Sequence, residues 1–351
     1  MSNKIENIEN NLPQNLEVDI KEGDTSSSTK YITKVMTGEE LMNLNVEEIP
    51  CLIDPLLHQA GLACLAGSSD TGKSTLLRQL AIAISTGEES FLGFKINVKH
   101  KAALYVSTED LARETGNLLK RQADKYKAED LKDIGFIFES EDLLKNLETE
   151  LKRKPVDIVI VDCFSDVFTN DIKDSQRIRS FLQPYQNLAY KFDCLFLFLH
   201  HTGKRTEMLV PNKNNLLGGQ GLEAKMRIVM ELRADLSDPS KKHLCIVKGN
   251  YLPSSLKLES YVLHFEENQL LFTNTGEHTP FEFLAKKDDT SEIKDRYNKI
   301  SKMKMEGHSF NVIGKQFGVT KSTISKWVSK GDANGWNIPL GDILDSVQEE
   351  E

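Results

Sequence analysis

Short apolar runs alternate with longer segments of mixed polarity through the middle of the chain. Four runs have the uninterrupted apolar character of strands buried on both faces, at 61–66, 102–107, 156–162 and 194–199. Helix-forming segments of mixed polarity separate these runs, and shorter runs at 228–232, 243–247 and 261–265 follow without helices of comparable length between them. Strand–helix alternation followed by consecutive strands predicts an α/β fold with a central, mainly parallel sheet.

The two ends of the chain differ from this middle part. Residues 1–33 are rich in Asn, Glu, Lys and Ser and poor in apolar residues, so they cannot bury enough surface to offset the entropy of ordering. We predict a disordered tail there, an α/β domain over 34–285, a small all-α domain over 286–335 and an acidic tail over 336–351. The formal net charge is −9, yet residues 290–331 hold nine Lys or Arg against three Asp or Glu. A basic patch is therefore expected in the small domain.

The sequence does not predict a membrane-spanning, secreted or disulfide-bonded protein. No apolar run approaches the roughly 18 residues of a membrane span, and residues 1–34 lack the apolar centre of a signal peptide. We expect a cytoplasmic protein without a membrane partner. The five cysteines form no CxxC pair, and four lie in apolar stretches. They are expected to be buried thiols, not disulfides or zinc ligands.

A Gly-rich segment joins the first buried strand to the helical run at 76–85. Its spacing fits the Walker A phosphate loop, in which backbone N–H groups and a helix N-terminus surround nucleotide phosphates. The sequence thus predicts ATP and Mg2+ as ligands. Lys73 would contact the β- and γ-phosphates, and the Ser74 hydroxyl would take a position on Mg2+. The predicted nucleotide-binding residues are Gly67, Ser68, Ser69, Asp70, Thr71, Gly72, Lys73, Ser74 and Thr75.

Polar residues follow three of the other buried strands. Glu109 and Asp110 come after 102–107, Asp162 ends 156–162, and His200 and His201 follow 194–199. In open α/β sheets ligands collect at the carboxyl ends of strands, so Glu109 could orient the attacking water and Asp162 could hold Mg2+ as in Walker B. Alternatively, Glu109 and Asp110 only favour the N-terminus of the next helix. One of the adjacent histidines could sense the γ-phosphate; no third metal ligand is suggested nearby.

The loop after the histidines carries Lys204, Arg205 and Lys213 among Pro, Asn and Gly. A basic loop leaving the catalytic edge of the sheet is suited to contact with a phosphate backbone. A solvated surface loop is the alternative, and the loop at 166–175 is a second candidate for DNA contact.

These motifs, in this order, resemble the RecA-like ATPases of the RepA type, the plasmid replicative hexameric helicases related to the DnaB helicases. The resemblance covers residues 37–270 and implies that Glu109 is the catalytic carboxylate, Asp162 the Walker B residue and His201 the phosphate sensor. It also implies a homohexamer in which Arg227 serves a neighbouring subunit as an arginine finger. One departure concerns the Lys-x-Arg pair of the DnaB relatives, since Lys248 is followed here by Gly249 and Asn250.

The small domain has the pattern of a helix-turn-helix. A helical run at 292–305, a second run capped by Ser309, and a third beginning at Lys321 are joined by short turns, the last of them starting with Gly318. In this motif the first residues of the final helix face DNA. The predicted contacts are Lys321, Ser322, Thr323, Ser325 and Lys326. A small bundle for protein docking or self-association is the alternative.

Together these features predict an ATP-hydrolysing, DNA-interacting motor, of the kind of a RepA-like replicative helicase of a plasmid, phage or mobile element. The core loops would contact single-stranded DNA and the helix-turn-helix would contact duplex. The main alternative is a non-translocating DNA-binding regulator that uses ATP as an assembly switch. A small-molecule kinase also has a phosphate loop, but the basic C-terminal region argues against it.

Overall fold

The computed structural model describes residues 35–43, 48–203, 206–285, 290–333 and 335–336. The chain divides into two units, Met1–Pro50 and Cys51–Glu351. The first contains helix α1 (Gly38–Met42), which begins with a capping box formed by Thr37 and Glu40. The predicted tail at 1–33, and all but the first residue of the tail predicted at 336–351, lie outside the described residues.

The second unit contains thirteen strands among the described residues. Their bounds are β1 (Cys51–Asp54), β2 (Leu57–His58), β3 (Gly61–Gly67), β4 (Ser90–Phe91), β5 (Phe94–Ile96), β6 (Ala103–Ser107), β7 (Ile134–Ile137), β8 (Ile158–Asp162), β9 (Leu195–His201), β10 (Ile228–Ala234), β11 (Lys241–Gly249), β12 (Glu259–Glu266) and β13 (Leu271–Pro280).

Nine strands form the main sheet, in the order β13-β12-β11-β10-β3-β9-β8-β6-β7. The strands from β10 to β7 run parallel, and β11, β12 and β13 continue the sheet antiparallel. The predicted α/β fold with a mainly parallel central sheet is therefore confirmed. Because β3, β9, β8 and β6 are neighbours, their carboxyl ends bring the predicted phosphate loop, histidines and carboxylates to one edge.

The core helices are α2 (Lys73–Thr86), α3 (Ala112–Gln122), α4 (Leu143–Arg153), α5 (Phe164–Val167), α6 (Ser175–Lys191) and α7 (Gly219–Lys225). Alternate residues of the central strands enter two different apolar cores, as the two-residue period of a strand requires. Leu65 packs in the core that includes α2, whereas Cys64 packs in the core that includes α4 and α6. The sheet is thus covered on both faces.

A second sheet was not expected from the sequence. Strands β2, β1, β5 and β4 form it in that order, whereas we interpreted residues 52–57 as a connecting segment. Strand β13 was also missed, and the predicted loop after Asp162 begins with the short helix α5. Strands of two to four residues are too short to show a clear alternation, and the pairing of β1 with β5 joins segments that are far apart in the chain, so the local pattern indicates them poorly.

The C-terminal region contains α8 (Thr290–Met305), α9 (Phe310–Gln316) and α10 (Lys321–Ala333). These helices surround a small apolar core that includes Ile300, Ile313 and Ile324. Within the described parts of the chain, no helix combines the length and apolar character needed to cross a membrane.

Candidate active site

The phosphate loop bends sharply between β3 and α2. Asp70 and Gly72 have left-handed backbone conformations, with φ of 62° and 88°. The Lys73 ammonium donates to the Ser68 carbonyl oxygen at 2.6 Å, and the Thr71 hydroxyl donates to the same oxygen at 3.0 Å. Side chains of the loop therefore hold its closed shape, as a phosphate cradle requires.

Two glycines of this loop have no room for a side chain. A Cβ at Gly67 would lie 2.5 Å from the carbonyl oxygen of Leu232, and one at Gly72 would lie 2.7 Å from Cζ of Phe272. Phe272 belongs to β13 and is fully buried. The loop thus packs against β10 and β13, which lie on the opposite side of β3 in the sheet from β8 and β6. The Walker A pattern does not contain these contacts.

Lys73 is a buried cation close to carboxylates. Burial lowers the pKa of its ammonium, and Asp162 and Glu109 act in the opposite direction. Because burial has already removed most of the water around this ammonium, its interaction with negatively charged phosphate oxygens would be strongly favourable.

The two carboxylate oxygens of Asp162 differ in their hydrogen bonding. The Tyr105 hydroxyl donates to Oδ2 at 2.6 Å, while Oδ1 is buried and has no hydrogen-bond partner in the described regions. Burial raises the pKa of this carboxyl, and the hydroxyls of Tyr105 and Ser74 lower it. An unsatisfied buried carboxylate oxygen near the Ser74 hydroxyl is a fitting environment for Mg2+ or a water bound to it.

Glu109 lies two residues after the end of β6 and is an accessible carboxylate. Its side chain is 53% exposed, and its Oε1 lies 3.8 Å from Nε2 of His201 and 3.5 Å from Sγ of Cys163. The structure therefore brings together Glu109 and His201, which were predicted separately. Cys163 was not expected in the site. Burial raises the pKa of its thiol to about 12.

The loops after β6 and β8 are joined by the Thr108 hydroxyl. It donates to the carbonyl oxygen of Asp162, at 2.9 Å, or to the carboxylate of Asp166, at 2.6 Å, and accepts from the Cys163 N–H at 3.0 Å. These bonds fix the relative position of Glu109 and Asp162.

The two histidines have different environments. His200 is completely buried, its Nε2 donates to the Leu217 carbonyl oxygen at 2.8 Å, and its ring packs edge-on against Phe164. Burial lowers the pKa of His200 to about 4, so the ring is neutral near pH 7. His201, 29% exposed, faces Glu109. Strand alternation thus directs the His200 ring into the core and the His201 ring toward Glu109.

The loop from Gly203 to Leu217 is held by polar contacts. The Ser68 hydroxyl of the phosphate loop donates to the Glu207 carboxylate. The buried Arg233 donates to the carbonyl oxygens of Thr206 and Leu209 and pairs with Glu231 at 2.8 Å. Sequence reasoning missed Glu207, Arg233 and Glu231, because their partners are distant in sequence and form no recognisable motif.

Among the predicted cations of this loop, Lys213 pairs with Glu223 at 3.1 Å. Lys204 and Arg205 lie outside the described residues.

Arg227 is not close to the phosphate loop of its own chain. It precedes β10, its N–H donates to the Leu62 carbonyl oxygen, and its guanidinium lies 6.0 Å from the centre of the Tyr251 ring. Arg227 thus lies at the amino edge of the sheet, where the parallel strands begin. A strand of seven residues places that edge roughly 20 Å from the carboxyl edge, where the strands end. Arg227 therefore does not join Lys73 and Glu109 within one chain.

The start of α10 presents polar side chains outward. Ser322, Ser325 and both lysines, Lys321 and Lys326, are exposed, and Thr323 is half-buried. Ile324 and Val328 point into the small core.

Comparisons with known proteins agree with this architecture. Residues 36–207 match a family model described as AAA domain. A solved structure whose title describes it as an ATPase domain aligns with a TM-score of 0.51 and 14% sequence identity, covering 67% of this chain and 95% of that chain. Among curated proteins, none matches the sequence. At this identity the structural likeness establishes the fold, a RecA-like P-loop NTPase core, and the AAA domain match adds support for an ATP-hydrolysing enzyme.

Proposed function

We propose that this protein is an ATP-dependent motor that acts on DNA and hydrolyses ATP at the carboxyl edge of the main sheet. The observation that carries the proposal is the convergence of Lys73, Asp162 and Glu109 on that edge, with Asp162 Oδ1 buried and unsatisfied within the described structure.

The phosphate loop would bind the triphosphate through its backbone N–H groups and the Lys73 ammonium. Ser74 and Asp162 would hold Mg2+, which in such sites neutralises charge on the phosphates. Tyr105 would keep Asp162 in position by occupying its second oxygen.

Glu109 would orient a water in line with the γ-phosphorus and accept a proton from it. The water oxygen forms a bond to phosphorus while the bond from phosphorus to the β–γ bridging oxygen breaks, so ADP leaves with that electron pair. His201, 3.8 Å from Glu109, would respond to the loss of the γ-phosphate and pass the change to the loop that follows it.

A ring of copies, a hexamer by the RepA resemblance, would give Arg227 a role that it cannot have in one chain. Its position on the amino edge, with an exposed Tyr251 beside it, is compatible with presentation to a neighbouring subunit. Arg227 is therefore proposed as the finger that offsets transition-state charge in the adjacent site.

DNA contact is proposed at two places. Lys204, Arg205 and Lys213 would contact single-stranded DNA, and the exposed polar residues of α10 would contact duplex as the recognition helix of a helix-turn-helix. Both would suit replication of a plasmid, phage or other mobile element by a RepA-like helicase.

A non-translocating, ATP-switched DNA-binding regulator is the second candidate. Helices α8, α9 and α10 surround their own apolar core, and the start of α10 presents polar side chains to solvent. These features favour the regulator, because such a helical unit could bind duplex DNA without translocation.

Steady-state ATP hydrolysis without DNA, with single-stranded DNA and with duplex distinguishes the two candidates. Lys73→Ala is the inactive reference, and Lys152→Ala, an exposed lysine of α4, is the matched control. A motor predicts strong stimulation by single strands that Lys73→Ala abolishes and Lys152→Ala retains. Hydrolysis indifferent to single strands would favour the regulator, and no hydrolysis under any condition would contradict both the motor and the assigned role of Glu109.

A further inference from the structure

Three potential ligands of a soft metal ion meet at the ends of three neighbouring strands. Glu109 follows β6, Cys163 follows β8, and His201 ends β9. One ligand atom from each, a carboxylate oxygen, a thiol sulfur and an imidazole nitrogen, lies within 4.8 Å of the other two. No two of these residues are near in sequence, so only the sheet brings them together.

The separations match those of ligands around a tetrahedral ion. Zinc binds sulfur at about 2.3 Å and nitrogen or oxygen at about 2.0–2.2 Å, which places neighbouring ligand atoms about 3.3–3.8 Å apart at the tetrahedral angle. The Cys163 Sγ to Glu109 Oε1 distance is 3.5 Å, and the His201 Nε2 to Glu109 Oε1 distance is 3.8 Å. The third separation, between the Cys163 sulfur and the His201 imidazole nitrogen, is at most 4.8 Å.

The donor set distinguishes this place from the magnesium site. Mg2+ prefers hard oxygen ligands in octahedral geometry, which Ser74 and Asp162 can supply. A thiol, an imidazole and a carboxylate are typical of Zn2+ with three protein ligands and an open fourth position for water.

The surroundings favour a cation that enters from solvent. Glu109 is about half exposed and His201 is partly exposed, so the ion can reach the buried sulfur between them. The Cys163 N–H is held by Thr108, and the Ser165 hydroxyl lies 3.0 Å from the sulfur. The carboxylate of Asp166, which contacts Thr108 at 2.6 Å, adds negative charge next to the cluster.

We propose that Glu109, Cys163 and His201 form a Zn2+ site that inhibits the enzyme by occupying its catalytic carboxylate. On binding, the thiol releases its proton to solvent, the sulfur, imidazole nitrogen and carboxylate oxygen bond to the ion, and displaced waters leave. Binding itself is independent of the proposed function; the inhibition rests on the role of Glu109 in ATP hydrolysis.

Cobalt tests the binding directly. Co2+ titrated into the full-length protein should give thiolate-to-cobalt charge-transfer absorption and the visible bands of a tetrahedral ion, and Zn2+ should displace it. Cys163→Ser should remove the charge-transfer band, while Cys194→Ser, another buried cysteine, should retain it. His201→Gln should keep the charge-transfer band but weaken binding by more than about 100-fold, because loss of a direct ligand costs more than loss of a residue that only orients one. Absence of the band in the wild-type protein, or its persistence in Cys163→Ser, would overturn the site.

Hydrolysis measured with excess Mg2+ tests the consequence. Micromolar Zn2+ should inhibit the wild-type protein and Cys194→Ser but not Cys163→Ser, if that variant retains its far-ultraviolet circular dichroism and its basal rate. If it does not, the zinc affinity of the wild-type protein, measured in competition with a chelator, is compared with the zinc concentration that halves its rate of hydrolysis. Agreement of the two values would support the inhibitory role, and half-inhibition far from half-saturation would overturn it. A cobalt band with equal zinc inhibition of Cys163→Ser would overturn the inhibitory role; a protein that binds cobalt but never hydrolyses ATP would contradict the proposed function and leave the metal site standing.

Discussion

The phosphate loop and the loop from Gly203 to Leu217 lie side by side but are stabilised in opposite ways. The first depends on steric fit: Gly67 and Gly72 touch a strand backbone and a buried ring, and Lys73 is buried. The second depends on polar anchors, with Arg233 beneath it and Glu207 reaching across to Ser68. A steric support resists displacement, whereas polar contacts can be exchanged for contacts with a ligand. We therefore expect the phosphate loop to keep its position when a ligand binds, and the loop from Gly203 to Leu217 to exchange its contacts.

Removing the anchor of the second loop should have the largest effect on stability. Arg233→Met leaves Glu231 buried without its ion pair and removes a donor from the carbonyl oxygens of Thr206, Leu209 and Leu284, so we expect a loss of about 3–5 kcal/mol in the free energy of unfolding at pH 7. Denaturant unfolding measures it, with the exposed Arg113→Met as control.

The same variant should become less stable as pH rises. Burial raises the pKa of Glu231, and without Arg233 the folded state holds the proton more tightly than the unfolded state does. Stability then falls with increasing pH above the unfolded pKa of about 4.3. Arg233→Met with Glu231→Leu should recover part of the loss; no recovery would show that Arg233 acts only through the loop carbonyls.

His200 should give the next largest effect, as a pH dependence. Its folded pKa of about 4 lies below the ordinary histidine value of 6.5, so the unfolded state binds more protons between these values. Stability should therefore fall by up to about 3 kcal/mol as pH decreases from 6.5 to 4. His200→Gln should lack this decrease, so the difference in the free energy of unfolding between the wild type and the variant should become smaller as pH falls from 6.5 to 4. Exposed His308→Gln should leave the slope unchanged.

Gly72→Ala tests the steric support of the phosphate loop. Gly72 has φ of 88° and Gly276 has φ of 80°, but a Cβ at Gly276 meets nothing within 4 Å. Both substitutions carry the cost of a left-handed alanine, about 1–2 kcal/mol, and only Gly72→Ala adds the contact with Phe272. We expect nucleotide affinity to fall by about 100-fold in Gly72→Ala and to be unchanged in Gly276→Ala. Equal binding by both variants would show that Phe272 is not a support.

Glu207→Gln should have the smallest effect. It removes a negative charge that contacts Ser68 of the phosphate loop, so the affinity for ATP should rise about two- to fivefold at low salt, with less change at high salt. Exposed Glu282→Gln is the control, and isothermal titration measures both. Weaker binding in Glu207→Gln would mean that the carboxylate helps to form the nucleotide site.

The parts of the site that follow from sequence are those with local signals. The phosphate loop is a continuous motif, and Glu109, Asp162 and His201 lie at or just after the ends of apolar runs that predict strands. Their meeting follows from the rule that parallel strands share a carboxyl edge. Buried α10 positions such as Ile324 follow equally from helical periodicity.

The remaining features depend on partners far apart in the chain. Phe272 lies under Gly72, Glu207 contacts Ser68, and Cys163 faces Glu109, and no spacing rule connects these positions. The small second sheet could not be predicted for the same reason, since its short strands are defined by their pairing and not by a local pattern. The position of Arg227 on the opposite edge likewise follows only from the parallel pairing of β10 with β3.

The most direct test of the central claim compares Glu109→Gln with Asp110→Asn in ATP binding and single-turnover hydrolysis. If Glu109 positions the attacking water, Glu109→Gln should bind ATP with nearly wild-type affinity and hydrolyse it at least about 100-fold more slowly, while Asp110→Asn should remain active. If the two carboxylates merely favour the start of α3, both variants should hydrolyse ATP at similar, nearly wild-type rates, and that result would contradict the account.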